Sequence, residues 1–454
     1  MRVVLVSTYD LGRQPFGLAS PAAWLEREGH EVTCLDLAVQ SLDEEAVARA
    51  GLVAFHLPMH TATRLADGVV TRVRALNPDA HLCFFGLYAA LNEPWLRGIG
   101  AGTVLGGEFE DGLTRLARRL AAGTGVPHAG VPSAAGIPSR SFERLAFLTP
   151  QRRGLPPLER YARLRIGTEE RVVGYTEASR GCVHLCRHCP IPPVYEGRVR
   201  IVPREVVLED VRRQVAAGAR HITFGDPDFW NGVGHALPLV EALHREFPGL
   251  SYDVTIKIEH LKRHARHLPR PVETGCAFVT SAVESVDDTI LAKLDKGHTR
   301  ADFIEVAARA RAAGLVLHPT FVAFTPWITP AGYRDLLRVI ADLDLVEHVA
   351  PIQLAIRLLV TRASRLLELE EVRARVGGFD ARALAHPWRH PDPAVDRLQA
   401  DVEEIVRESL AAGAERAAIF DAVARRAGLE RASVPAGLAP KRAPVPFLTE
   451  PWYC

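Results

Sequence analysis

Three cysteines stand at 182, 186 and 189 in the run Gly181-Cys-Val-His-Leu-Cys-Arg-His-Cys-Pro190, a C-x3-C-x2-C spacing. The thiolate is the form of cysteine that ligates metals. Three thiolates on one short loop can hold a metal centre and leave one coordination position to something other than protein. Iron–sulfur clusters are normally held by four cysteines, so three local ligands would leave one iron open. A structural zinc site is a second reading. It wants four ligands, which His184 or His188 can complete, but such sites usually come as two spaced pairs. Three unrelated buried cysteines are a third. An electron-carrying ferredoxin would add a fourth cysteine, for which Cys276 and Cys454 are the distant candidates. Cys276 sits in a strand-like run that reads as core. The spacing favours a cluster with one open iron.

The rest of the composition sets the background. The chain has 454 residues, 48% hydrophobic and 24% charged, with a formal net charge of +1. That balance is ordinary for a globular protein and gives no basic field for nucleic acid or an anionic membrane. The seven cysteines are odd in number, and no export signal precedes them, so a disulfide framework is not expected. Cys34 and Cys83 lie in apolar strand-like runs and read as core residues. No apolar run reaches the roughly 18 residues of a spanning helix. A cytoplasmic protein is expected, with no nucleic-acid or membrane partner. Phosphate-cradling Gly-x-Gly-x-x-Gly and P-loop runs are absent, as are His-Glu-x-x-His and Gly-x-Ser-x-Gly. His260, His264 and His267 fall in a basic helical stretch that reads as a solvated face.

The elements that must position the cysteines follow from periodicity. Residues 1–122 alternate short apolar strands with amphipathic helices, the pattern of an open parallel sheet covered on both faces. Residues 123–170 are rich in Pro, Gly, Ala and Ser and read as a linker. Alternation restarts over 171–365, with strands expected near 171–176, 220–224, 251–256, 276–282, 316–321 and 351–356. Six βα units fit a partial or full parallel barrel, whose chemistry gathers at the carboxyl ends of its strands. The cysteine loop and Gly225-Asp226-Pro227 both fall there. Residues 366–433 read as helical, and 434–454 as an extended tail.

With the loop at a barrel mouth, the chain resembles the radical S-adenosylmethionine (SAM) enzymes over about 171–365. The resemblance implies a 4Fe–4S cluster on Cys182, Cys186 and Cys189, the catalytic and metal-binding residues. Its open iron is chelated by SAM, and an electron from the cluster cleaves the sulfonium to yield a carbon radical. By position, His188 matches a place usually held by an aromatic beside the adenine. Gly225, Asp226 and Pro227 match the segment that holds the SAM amino group, and Glu284 matches the ribose-binding acid. Lys293 to Thr299 resembles a segment that follows this acid in many members. The resemblance assigns it no role.

Residues 1–122 resemble the cobalamin-binding domain that precedes the barrel in one large subclass, and Gly106-Gly-Glu-Phe-Glu110 matches its Gly-Glu-x-Glu element. The expected fold is thus α/β: a Rossmann-like cobalamin-binding-type domain, a partial (βα)6 TIM-type barrel and a helical C-terminal region. No Asp-x-His-x-x-Gly run supplies an axial histidine, so the resemblance allows cobalamin without requiring it. His60 reads as a surface or supporting histidine. The ending Thr449-Glu-Pro-Trp-Tyr-Cys454 is similar to a branch whose tail carries paired Cys or selenocysteine followed by Ala-Glu-Pro. Phe447-Leu448-Thr449 stand where that pair and Ala would be, leaving Cys454 as a substrate-facing candidate on a tail that would close the barrel mouth. The expected function is reductive SAM cleavage to modify a small-molecule substrate, with an electron donor such as ferredoxin or flavodoxin. The alternatives are a cobalamin-dependent radical SAM methyltransferase, 3-amino-3-carboxypropyl transfer to a soft atom such as arsenic, and a noncatalytic iron–sulfur redox sensor or electron carrier.

Overall fold

The computed structural model describes residues 1–123, 140–429 and 444–450. Its first sheet is built from β1 (Arg2–Ser7), β2 (Glu31–Asp36), β3 (Leu52–His56), β4 (His81–Phe85), β5 (Thr103–Gly107) and the two-residue β6 (Arg140–Ser141). The order is β2-β1-β3-β4-β5-β6, with every pairing parallel. Period-2 alternation splits the strands between two cores. Val4, Val6, Phe55, Leu82 and Phe84 face helix 60–76 through Ala62, Ala66, Val70 and Val73. Val3, Leu5, Ala54, Cys83 and Phe85 face helices 16–27 and 110–121 through Leu18, Leu25, Leu113 and Leu116. Both faces are dry, which is why these strands read as near-continuous apolar runs. Cys34 and Cys83 lie in the second of these cores.

The second sheet curls into a half-barrel. Its strands are β7 (Arg163–Ile166), β8 (Glu169–Thr176), β11 (His221–Phe224), β12 (Ser251–Thr255), β13 (Cys276–Glu284), β14 (Leu317–Phe321) and β15 (Phe447–Leu448). A separate antiparallel pair, β9 (Ser179–Gly181) with β10 (Val199–Ile201), brackets the cysteine loop. Sheet order is β14-β13-β12-β11-β8-β7-β15. Strands β8 and β11 to β14 are parallel neighbours, and the helices between them share their core with helices 393–411 and 416–426.

Three expectations change. The stretch 351–356 is not a sixth strand. Pro351 lacks an N–H, Pro351–Leu354 winds into a 3-10 turn, and one parallel bridge, Phe324 to Arg357, remains. The side-chain oxygen of Gln353 accepts the Phe321 N–H at 3.0 Å, in place of a strand carbonyl. The stretch read as linker contains β7, which turns at Gly167 and pairs antiparallel with β8. The described part of the tail is also ordered as strand. β15 adds to the free edge of β7, and Glu450 reaches the Tyr9 hydroxyl beyond β1. It therefore runs along the sheet edge toward the first domain. Cys454 lies outside the described residues.

The two sheets meet through buried charge. Arg180, in β9, extends between Glu108 and Glu110 at the end of β5, and Glu177 beyond β8. Its guanidinium donates to both Glu110 oxygens at 2.7 and 3.0 Å and stacks near Phe16, Phe109 and Phe147. Arg152 makes a second strut: it forks onto Asp210 at 2.8 Å and also reaches Gln14 and the Tyr175 carbonyl. One guanidinium among three carboxylates leaves excess negative charge. Burial pushes Glu108 up to about 7 despite Arg180, while Arg180 outweighs burial at Glu110 and holds it low. Glu108 therefore favours the folded state fully below 4.5 and loses that contribution as pH rises through 7. Removing the cation should cost about 3–5 kcal/mol by stranding buried carboxylates. Arg180→Met should lower the melting temperature more at pH 8 than at pH 5, where protonation relieves the stranded acids. An equal loss at both values, measured by thermal denaturation, would contradict this account.

Candidate active site at the barrel rim

The carboxyl ends of the barrel strands converge on the cysteine loop. Hydrogen bonds to backbone carbonyls pin the loop from two sides. Arg187 N–H donates to the Leu294 carbonyl at 2.9 Å, and Arg365 donates to the Leu185 carbonyl at 2.6 Å. Cys182 and Cys189 each lie within electrostatic reach of Cys186. Burial pushes Cys182 up to about 11, with the Asp228 carboxylate adding to it, and pushes Cys189 higher still. A buried site of this kind favours thiolate only if a cation sits at the sulfurs. Three such sulfurs, with no fourth cysteine beside them among the described residues, fit a cluster with one open iron. Cys276 begins β13 at the opposite end of the barrel, so it does not complete the set.

Asp226 sits beneath the loop. One oxygen accepts the Ala178 N–H at 2.9 Å and the other the Ser179 hydroxyl at 2.5 Å. Burial pushes its pKa up to about 7. The carboxylate, expected to face a ligand ammonium, is instead spent on shaping the strand that launches the cysteines. Gly225 is needed for close approach: a Cβ there would stand 1.7 Å from the Tyr175 hydroxyl oxygen. Pro227 lies beside it, partly exposed.

Glu284 ends β13 with φ of 69°, in the left-handed region, just after a bulge in its pairing with β14. Such a conformation in a non-glycine residue costs of order 1–3 kcal/mol and re-aims the side chain. The carboxylate points at His188 Nε2, 3.1 Å away, and Lys296 Nζ, 3.5 Å away. Burial alone would raise its pKa, but the Lys296 ammonium and the His188 bond hold it at about 2. Lys296 is also raised, against its burial, by Glu284 and by the Cys186 and Cys189 sulfurs. The segment without an assigned role thus supplies a buried cation between the acid and the cysteine loop. Helix 288–294 ends in a left-handed Asp295, which turns Lys296 back into the rim. Sequence reasoning missed this lysine. The one signal for it was a Lys-Gly turn after the acid.

His260 is not on a solvated face: it is buried and faces Asp228. His60 Nε2 donates to the Ala383 carbonyl, 2.6 Å away. His56 at the end of β3 is packed against Gly17 and Phe85, and burial followed by Arg180 pushes its pKa down to about 3.

The Glu284–Lys296 pair has a defined pH range. The Glu284 contribution is present above its ordinary 4.5 and is lost as pH falls toward 2. The Lys296 contribution is present below its ordinary 10.5 and fades above it. Lys296→Met should cost about 3–5 kcal/mol at neutral pH by leaving a buried anion alone. Glu284→Gln should recover part of that loss in a double-mutant cycle. Additive losses across the cycle, from urea denaturation, would show that the pair is not coupled.

Residues 176–329 match the family described as the Radical SAM superfamily. The chain is 26% identical over 324 residues to the hopanoid C-3 methylase of Methylococcus capsulatus, covering 69% of this chain and 62% of that protein. It is 24% identical over 192 residues to the ribosomal protein uS12 methylthiotransferase RimO of Geobacter sulfurreducens, covering 39% of this chain and 42% of that one. The chain thus spans about two fifths to three fifths of the curated relatives it matches. Among solved structures, the fold resembles the radical SAM methyltransferase TsrM from Kitasatospora setae, with cobalamin and a 4Fe-4S cluster bound. That likeness has a TM-score of 0.58 and 20% identity over 76% of this chain and 73% of that one. It also resembles the cobalamin-dependent radical enzyme OxsB, with a TM-score of 0.69 and 12% identity over 90% and 67%. The segment that matches the Radical SAM superfamily is the one that carries the three-cysteine loop and most of the half-barrel strands.

Proposed function

We propose that this protein is a radical SAM enzyme that reductively cleaves SAM to modify a small-molecule substrate. The observation that carries the reading is the convergence of the three-cysteine loop with the Glu284–Lys296–His188 group at one barrel rim. A 4Fe–4S cluster on Cys182, Cys186 and Cys189 supplies the electron and the open iron. Glu284, ionised and fixed by Lys296, accepts hydrogen bonds from a ribose. His188 packs beside the adenine and is itself oriented by Glu284. With its carboxylate committed, Asp226 acts through position, so the Gly225-Asp226-Pro227 backbone carbonyls are the acceptors for the SAM ammonium. Val183 and Leu185 stand exposed on the cysteine loop and give a small reductant such as ferredoxin or flavodoxin an apolar landing point near the cluster. Among the described residues no helix is long and apolar enough to cross a membrane. A cytoplasmic location belongs to this reading.

A second reading, cobalamin-dependent methyl transfer, is favoured by the likeness to TsrM and OxsB and by the methylase relative. The residues beyond the first sheet limit how a corrin would bind. His56 is packed and His60 is bonded to Ala383, so neither is placed as an axial ligand.

The test is anaerobic reconstitution followed by dithionite and SAM. About four irons per chain and release of 5′-deoxyadenosine are expected, both lost in Cys186→Ala. S-adenosylhomocysteine together with a corrin absorption band would favour methyl transfer. Methylthioadenosine would favour aminocarboxypropyl transfer. A stable cluster with no SAM cleavage would overturn the enzyme reading in favour of a redox protein.

A further inference from the structure

Beside the cysteine loop lies a second group of ligand atoms that the SAM chemistry does not use. His184 projects from the loop itself, between Cys182 and Cys186. Asp228 follows β11, and His260 follows β12. One ligand atom from each lies within 4.8 Å of the others. His260 Nδ1 is 2.8 Å from Asp228 Oδ2, and His184 Nε2 is 3.6 Å from the same oxygen. All three atoms are shielded from solvent, and none makes a well-aligned hydrogen bond. Polar atoms buried this way normally find partners. A nitrogen 2.8 Å from a carboxylate oxygen but misaligned for hydrogen bonding is aimed elsewhere. Ligands about 2.1 Å from one ion, at tetrahedral or octahedral angles, stand roughly 3.0–3.4 Å apart, which is the scale of the separations seen here.

The surroundings match what ligand residues need. A histidine bound to a metal usually presents its other ring nitrogen to a carboxylate, which fixes the tautomer. His184 Nδ1 lies 3.4 Å from Glu259 Oε2. Glu259 is held in turn by Lys257 at 3.3 Å and Arg263 at 2.7 Å. Gly297, with φ of 71°, leaves it room, since a Cβ there would stand 2.5 Å from its oxygen. Asp228 spends its other oxygen on the Trp230 N–H at 3.1 Å, leaving Oδ2 for the centre of the group.

We infer that His184, Asp228 and His260 bind one divalent transition-metal ion, of the Zn2+ or Fe2+ class. Two imidazoles and a carboxylate suit either ion and leave at least one position for water or another ligand. The ion ties the cysteine loop to the ends of β11 and β12, so its mechanical role is to hold that loop in register with the barrel. None of the three ligands is a cysteine, so the ion and the cluster share no ligand.

The test uses the full-length chain with Cys182, Cys186 and Cys189 changed to Ala, which removes the cluster ligands, and Zn2+ as the probe. About one zinc per chain after gel filtration, by plasma mass spectrometry, is expected, with a rise of several degrees in melting temperature. Asp228→Asn and His260→Gln in that background should each weaken zinc binding at least tenfold and abolish the rise, with circular dichroism confirming the fold. In reconstituted wild-type protein the same ion should appear beyond the cluster iron. No stoichiometric zinc in the cysteine-free chain, or zinc retained at full affinity in folded Asp228→Asn, would overturn the inference.

Discussion

The structure turns on one buried cation. Arg180 stands two residues before the first cysteine, and its guanidinium is enclosed by Glu108, Glu110 and Glu177. A charge removed from water in this way is tolerable only when its partners are well placed. The first domain supplies two of them from the end of β5, so the strand that launches the cysteine loop depends on a domain other than its own. That dependence gives the Gly-Glu-Phe-Glu element a physical role in this chain. It clamps the entrance of the loop to the first sheet, and Phe16, Phe109 and Phe147 exclude water around the clamp.

Beyond the clamp, the rim is organised by pairs of opposite charge that hold each other in unusual states. Lys296 keeps Glu284 ionised in a place that would otherwise favour the neutral acid, and Glu284 keeps Lys296 charged beside the cysteines. The bulge and left-handed backbone at Glu284 spend local stability on direction. Asp226 works differently. Its carboxylate accepts from Ala178 and Ser179, so it shapes the loop and leaves its backbone carbonyl free. Preorganisation by fixed charges and shaped loops is what a site needs when the cofactor carries the difficult chemistry.

Much of this was legible in the sequence. The cysteine spacing pointed to an open metal centre, and alternating apolar runs gave the parallel strands of the half-barrel to within a residue or two at most ends. What escaped reading depended on contacts distant in sequence. Lys296 has no periodic signature; its role appears once a left-handed Asp295 folds it toward Glu284. His260 read as a solvated helix face because its neighbours are basic, yet that face turns toward Asp228. The stretch at 351–356 carried an apolar strand pattern, but Pro351 and the Gln353 side chain replaced backbone pairing with a 3-10 turn. β15 was hidden because edge addition demands only two residues of pairing with β7, Phe447 with Arg165 and Leu448 with Leu164, far apart in sequence.

The central claim is that the three cysteines leave one cluster iron to be filled by SAM. Electron paramagnetic resonance of the dithionite-reduced, reconstituted protein tests it most directly. SAM on the open iron should change the g-values of the reduced cluster, and Glu284→Ala should demand more SAM for the same change. A reduced cluster whose signal is identical with and without saturating SAM would contradict the account.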